Sequence, residues 1–280
     1  MQSVAILGAG ELGGAVTHVL ARRDVTRSIT LVDESGRVAA GKALDIAEAA
    51  PVEGFATQLN GSTDILHAGG AAVVIIADRF GGAEWQGEDG LLLLKQLTQI
   101  AAGAVIICAG ASQRELVDRG VREIRFGRAR LFGSAPEALA NGARALTALA
   151  VNGSARDVSL SVLGVPPSHA VIPWADATVA GFSLTRLLVE PSRHRLAARI
   201  AALWPPGPYA LASAAVAVIE AMSGRTRRVA SCFVAPDTSA GARVRTAALP
   251  VRLDTTGIVE VVTPPLSVGE QVALDNAMLL

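Results

Sequence analysis

Lysine, cysteine and tyrosine are nearly missing from this chain of 280 residues, which has two lysines (Lys42 and Lys95), two cysteines and one tyrosine. Cys108 and Cys232 are too few and too far apart for a disulfide framework or a metal knuckle. The four histidines never join them at metal-ligand spacing, which predicts no metal site. Aromatic residues make up only 4% and the net charge is zero, so no basic, ring-studded surface exists to draw in nucleic acid or an anionic membrane. No apolar run approaches the roughly 20 residues of a membrane span; the longest are Ala71 to Ala77 and Tyr209 to Ile219. No basic region precedes an apolar segment at the start, which predicts a cytoplasmic chain without a secretory leader. A Walker motif, a nucleophile elbow and an H-E-x-x-H helix are all lacking.

What the chain has is apolar mass. Hydrophobic residues are 51% and charged ones 18%, enough for a large core and a length suited to two domains. Up to about residue 132, buried-type strands alternate with helical patterns. Val4–Gly8, Ile29–Asp33, Phe55–Leu59, Ala71–Ala77, Ala104–Cys108 and Arg130–Gly133 read as strands, with helices over Leu12–Arg23, Val38–Ala49 and Asp89–Ala102. Continuous apolar strands alternating with helices predict a doubly wound parallel sheet covered on both faces. From 133 to 280 the rhythm becomes α+β. A helix over Leu139–Val151 precedes strands at Val158–Leu163 and Val171–Trp174, then helices at Arg193–Leu203 and Tyr209–Met222. Strands at Val229–Val234, Leu249–Leu253 and Ile258–Val262 follow, and a helix opens at Ser267 with the capping-box pair Ser267 and Glu270.

Gly8-Ala9-Gly10-Glu11-Leu12-Gly13 falls at the first strand-to-helix turn. In such a G-x-G-x-x-G motif the first glycine makes the turn and the second admits a pyrophosphate. The third lets the helix lie close to the sheet, with the phosphates at its N-terminus. Asp33, twenty residues past Gly13, ends the second strand, where a carboxylate accepts from a ribose hydroxyl and repels a 2′-phosphate. The predicted cofactor is therefore NAD rather than NADP, held by Gly8, Gly10, Glu11, Leu12, Gly13 and Asp33, with Ala77 and Asp78 at the end of the fourth strand.

Further landmarks run along nearly the whole chain: Val32-Asp33, Gly41-Lys42-Ala43-Leu44-Asp45, Val162-Leu163-Gly164, Trp174, Pro250-Val251, Gly257-Ile258 and Pro265-Leu266-Ser267. In order and spacing they resemble the lactate/malate dehydrogenase family. The resemblance implies a Rossmann domain (1–132), an α+β substrate domain (133–280), a homo-oligomer (dimer or tetramer), and hydride transfer between NAD and a 2-hydroxy or 2-oxo acid.

The family's catalytic residues do not carry over. Its histidine falls on Pro166 in the segment Gly164-Val165-Pro166-Pro167-Ser168, so the usual proton path is absent. His169, three residues on, is a candidate stand-in, against an ordinary loop or strand histidine. The family's Asn-Pro pair becomes Ala109-Gly110. In the loop after the fourth strand only Arg79 is basic, read as a carbonyl-polarising group or as a solvated arginine. Read without gaps, the family's Asp and Arg on the helix opening the second domain become Leu139 and Gly142. A two-residue shift gives Asn141 and Arg144 instead, the candidate carboxylate-binding pair. No residue is assigned as catalytic. Three functions stay open: an oxidoreductase with a rearranged site that is not a standard lactate or malate dehydrogenase, an NAD-binding pseudoenzyme, and an interaction protein without cofactor.

Overall fold

The computed structural model describes residues 1–237, 241 and 243–280. The first half runs β1 (Ser3–Leu7), α1 (Glu11–Arg23), β2 (Ser28–Val32), α2 (Gly36–Glu53), β3 (Gln58–Ser62), β4 (Val73–Ile76), α3 (Gly87–Ile100), β5 (Val105–Cys108), α4 (Arg114–Arg122) and β6 (Leu131–Gly133). Then come α5 (Ala135–Ala150), β7 (Val158–Ser159), β8 (Leu163–Val165), β9 (His169–Val171), β10 (Thr178–Val179), β11 (Phe182–Ser183), α6 (Leu184–Leu187) and α7 (Glu190–Ala201). The chain continues through α8 (Pro208–Met222), β12 (Ala230–Val234), β13 (Ala247–Asp254), β14 (Gly257–Val261) and α9 (Val268–Ala277).

Strands β4 and β5, with sequences VVII and VIIC, are buried at every position, as a sheet covered on both faces requires. The parallel half has the order β3-β2-β1-β4-β5-β6. The direction of winding reverses between β1 and β4, whose ends Leu7 and Ile76 lie side by side. In such sheets ligands bind outside the carboxyl ends of the strands at this reversal. The sheet does not stop at β6. It continues antiparallel through β12, joined where Phe233 faces Gly133, and on to β13, β8 and β9. One core serves both halves: Ile6, Phe132, Leu211, Val218, Phe233 and Ala248 belong to a single buried cluster. Trp204 meets Phe233 edge to face, 6.0 Å between centroids.

The predicted doubly wound sheet followed by an α+β portion is present, with local differences. β3 starts at Gln58 because Phe55 turns into the core and the Thr57 hydroxyl bonds to Thr26 O and Asp24. The run Val158–Leu163 splits: β7 pairs with β10 in a separate small sheet, while β8 pairs with β13 and β9. β9 covers His169–Val171 rather than Val171–Trp174, set by the pairing of Val171 with Leu163. α5 begins at Ala135, four residues early, with Pro136 in its first turn, where a missing N–H costs nothing. The two-residue strands β10 and β11 are too short to leave a periodic signal. The Ser267–Glu270 capping box forms as predicted, with Ser267 N donating to Glu270 at 2.7 Å and Glu270 N to Ser267 Oγ at 3.3 Å.

Because Phe233 ties the halves together, truncating it to alanine should cost about 3–5 kcal/mol. In a urea titration the loss should lower one shared transition. Two separated transitions would show that the halves are independently stable.

Candidate functional site

The first turn is shaped by how near the next strand's loop comes. Gly8 has φ +104°, a left-handed value that favours glycine, and a Cβ there would lie 2.2 Å from the carbonyl oxygen of Asp78. Gly10 N donates to that same carbonyl at 2.9 Å. The Asp78 side chain then reaches over Gly10 to the start of α1. Its carboxylate accepts from Leu12 N at 3.2 Å and from Gly13 N at 2.9 Å. A Cβ on Gly10 would sit 2.3 Å from this carboxylate, so the space opened by the second glycine is filled by Asp78. Lys42 of α2 closes the turn from the other side, its Nζ 2.6 Å from Gly10 O.

Asp33 is buried at the end of β2. Its Oδ2 accepts from Ala9 N (2.7 Å) and Phe80 N (3.0 Å), and its Oδ1 from Ser35 N (2.9 Å). One carboxylate therefore binds the first turn, the start of α2 and the loop after β4. Beside it lies a cavity of about 260 Å³ lined in part by Gly8, Asp33, Thr63, Arg79 and Trp85. Arg79 stacks on Trp85 with its guanidinium carbon 4.6 Å from the ring centre, and pairs with Asp89 at 3.6 Å. This arginine holds the loop rather than standing free in solvent.

The same loop carries a second carboxylate that the sequence did not reveal. Glu84 reaches the turn after β5, where its oxygens accept from Ala111 N at 3.0 Å and Ser112 N at 2.8 Å. A Cβ on Gly110 would be 2.2 Å from it. Gln113 seals the base of this turn, accepting from Gly110 N and donating to Ala77 O. Burial raises the Glu84 pKa, the Ala111 and Ser112 amides pull it back, and the charge of Asp78 adds to the rise.

The other predicted residues are placed as follows. Ala77 is fully buried, its N bonded to Leu7 O. Glu11 is exposed and lines a separate cavity with Gly14, His18 and Lys42. Arg144, the candidate substrate arm, is tied into the protein and also lines a small cavity with Arg156 and Arg228. It is 8% exposed and spends its guanidinium inside the protein, on Glu137 (2.5 Å), Asn141 Oδ1 (2.6 Å) and Leu160 O (3.2 Å). Glu137 also accepts from Ser231 N at 2.8 Å, so the pair ties α5 to β12. Asn141 serves as a partner of Arg144. Neither residue lines the crevice beside Asp33.

No histidine lines that crevice either. His18 pairs with Glu53, His67 bonds to Ser62, His194 lies near Glu190 on the surface of α7, and His169 is exposed on β9. Cys108, at the end of β5, is fully buried, and desolvation keeps its thiol protonated. Among the described residues no group of three or more acidic, histidine or cysteine side chains could hold a metal ion, and no helix is long and apolar enough to cross a membrane.

No family model matches the chain. Individual proteins do, along its full length. It is 27% identical over 296 residues to a malate dehydrogenase of Thioalkalivibrio sulfidiphilus, covering 99% of this chain and 96% of the relative. A malate dehydrogenase of Thermomicrobium roseum is 28% identical over 293 residues, with 99% and 94% covered. Along its length the chain is similar to malate dehydrogenases of the lactate/malate dehydrogenase family. The fold agrees. The malate dehydrogenase of Salinibacter ruber superposes with a TM-score of 0.88 at 24% identity, over 98% of this chain and 93% of that one. The Cryptosporidium parvum lactate dehydrogenase complexed with lactic acid and nicotinamide adenine dinucleotide superposes with a TM-score of 0.87 at 20% identity, covering 99% and 94%. In this chain the turns after β1 and β5 are each held by one of its own carboxylates, Asp78 and Glu84.

Two outcomes follow. Arg144→Ala leaves Glu137 charged and buried, and should cost about 3–5 kcal/mol in urea unfolding, against within about 0.5 for a surface arginine. For Glu84, a folded pKa above the ordinary 4.5 means that the folded chain holds the proton more tightly. Its contribution to stability therefore falls as pH rises from near 4.5 through the raised value, and stays low above it. Glu84→Gln should remove that decline. The difference in urea midpoint between variant and parent should grow in the variant's favour across this window, and a difference independent of pH would refute the assignment.

Proposed function

We propose that the chain is an NAD-binding member of an oxidoreductase family that does not turn over malate or lactate at dehydrogenase rates. The observation that carries this reading is the crevice itself. The glycine turn and Asp33 stand at the reversal of the sheet, while the histidines are engaged elsewhere or lie on the surface: His18 on Glu53, His67 on Ser62, His194 near Glu190 and His169 exposed on β9. The family's proton-transferring position is occupied by Pro166, which has no titratable group. Loss of a general base lowers the rate by about 10²–10⁴-fold. The bonds of Arg144 to Glu137, Asn141 and Leu160 compete with a substrate carboxylate for its guanidinium.

The fit to NAD divides along the molecule. At the nucleoside end Asp33 lines the 260 Å³ cavity as a ribose acceptor that disfavours a 2′-phosphate, with Trp85 and Arg79 as walls. At the diphosphate end, Gly8, Gly10, Leu12 and Gly13 would supply the turn and its amides, but the group does not fit while the Asp78 carboxylate stands on them. No catalytic step is assigned. A second reading, an active oxidoreductase with a rearranged acid–base group acting on another small carboxylate, is supported by Glu84 alone, the crevice carboxylate whose pKa is raised. The apolar residues Leu44, Val52 and Tyr209, exposed on α2 and at the start of α8, support assembly as a homo-oligomer.

Titration of NADH and NADPH, followed by energy transfer from the three tryptophans, should show binding with preference for NADH. Assays with malate, lactate, oxaloacetate and pyruvate should give rates about 10²–10⁴-fold below those of ordinary dehydrogenases. Turnover of any of them at ordinary rates would overturn the reading.

A further inference from the structure

The disagreement at the diphosphate end is built from several contacts, all made by residues 77–86. Asp78 caps Leu12 N and Gly13 N with its carboxylate while its carbonyl accepts from Gly10 N. Phe80 N is held by Asp33, and Glu84 is held by Ala111 N and Ser112 N. Arg79 is clamped between Trp85 and Asp89. The backbone of Asp78 also bridges to that of Glu84, so the loop crosses the crevice as a folded strap. A carboxylate at the first turn of a 13-residue helix satisfies orphan N–H donors and sits at the positive end of its dipole, the features that recommend the place to a phosphate. The two anions want the same donors. With the strap in place, the cavity that remains, about 260 Å³, falls below the roughly 300 Å³ at which clefts for drug-sized ligands begin.

We propose that Asp78 is an internal competitor for the dinucleotide's diphosphate, so that the protein binds NAD only in the fraction of molecules whose Asp78 carboxylate has left the amides of Leu12 and Gly13. The proposal rests on the NAD reading above. It makes the Asp78 side chain a self-occupying anion and leaves the nucleoside end, walled by Arg79 and Trp85, in place in both states. Apparent affinity is then the intrinsic affinity reduced by the open fraction, so freeing the amides tightens binding by the inverse of that fraction.

The test is calorimetric titration of NADH and of adenosine into the parent chain, Asp78→Ala and Asp78→Asn, each first checked for folding by circular dichroism. Asp78→Ala removes the competing group, and Asp78→Asn removes its charge while keeping its shape, so one variant suffices if the other does not fold. The expected result is NADH binding about tenfold tighter or more in Asp78→Ala and an intermediate gain in Asp78→Asn, with adenosine affinity unchanged. NADH binding equally well to parent and variants would overturn the competitor while leaving the NAD reading intact. Equal tightening of adenosine would also overturn it, because the effect would not involve the diphosphate. Silence of NADH towards all three proteins would overturn both readings together.

Discussion

The first turn of any α-helix leaves N–H groups without partners inside the helix. In this chain two of those on α1 are satisfied by a carboxylate carried on the neighbouring strand's loop. Much of the crevice depends on that contact. It requires glycine at position 8 so that the loop backbone can approach, and glycine at position 10 so that the side chain can pass. It places Phe80 N on Asp33, and it sets the direction in which the loop carries Glu84 to the turn after β5.

The contact also shows how one set of residues can serve folding and binding in opposition. Peptide donors at a helix start are costly to leave bare in a dry crevice, and a side-chain anion is the nearest remedy. A protein that keeps those donors for a ligand must leave them to water between binding events. Here they are coordinated by the chain itself. Asp33 behaves similarly: the carboxylate read as a ribose acceptor is already bonded to three backbone amides.

Legibility from sequence followed the length of the pattern. The apolar runs of β1, β4 and β5 and the glycine turn repeat or persist long enough to declare a doubly wound sheet. The capping box at Ser267 was equally plain, because its chemistry is confined to four neighbouring residues. Two-residue strands such as β10 and β11 carried no such signal. Asp78 was legible as a residue of the crevice but not in its role, since position along the chain does not say whether a carboxylate faces a ligand or replaces one. Glu84 was missed because its partners, Ala111 and Ser112, are backbone amides that any sequence would offer. Arg144 was read as exposed to substrate because its buried partner, Glu137, lies two turns back on the same helix, within reach only once α5 is seen to begin at Ala135.

The passage of the sheet across Gly133 and Phe233, with one apolar cluster shared beneath it, has a mechanical meaning. Two lobes joined by a linker can hinge like jaws and admit a ligand between them. A sheet hydrogen-bonded straight through, over a core that belongs to both sides, resists that motion, because opening it would tear strand pairs and expose buried rings. Access to the diphosphate end therefore falls to a smaller movement, that of the Asp78 carboxylate on the loop that crosses the crevice. In this molecule the entrance is a latch, and the sheet behind it is fixed.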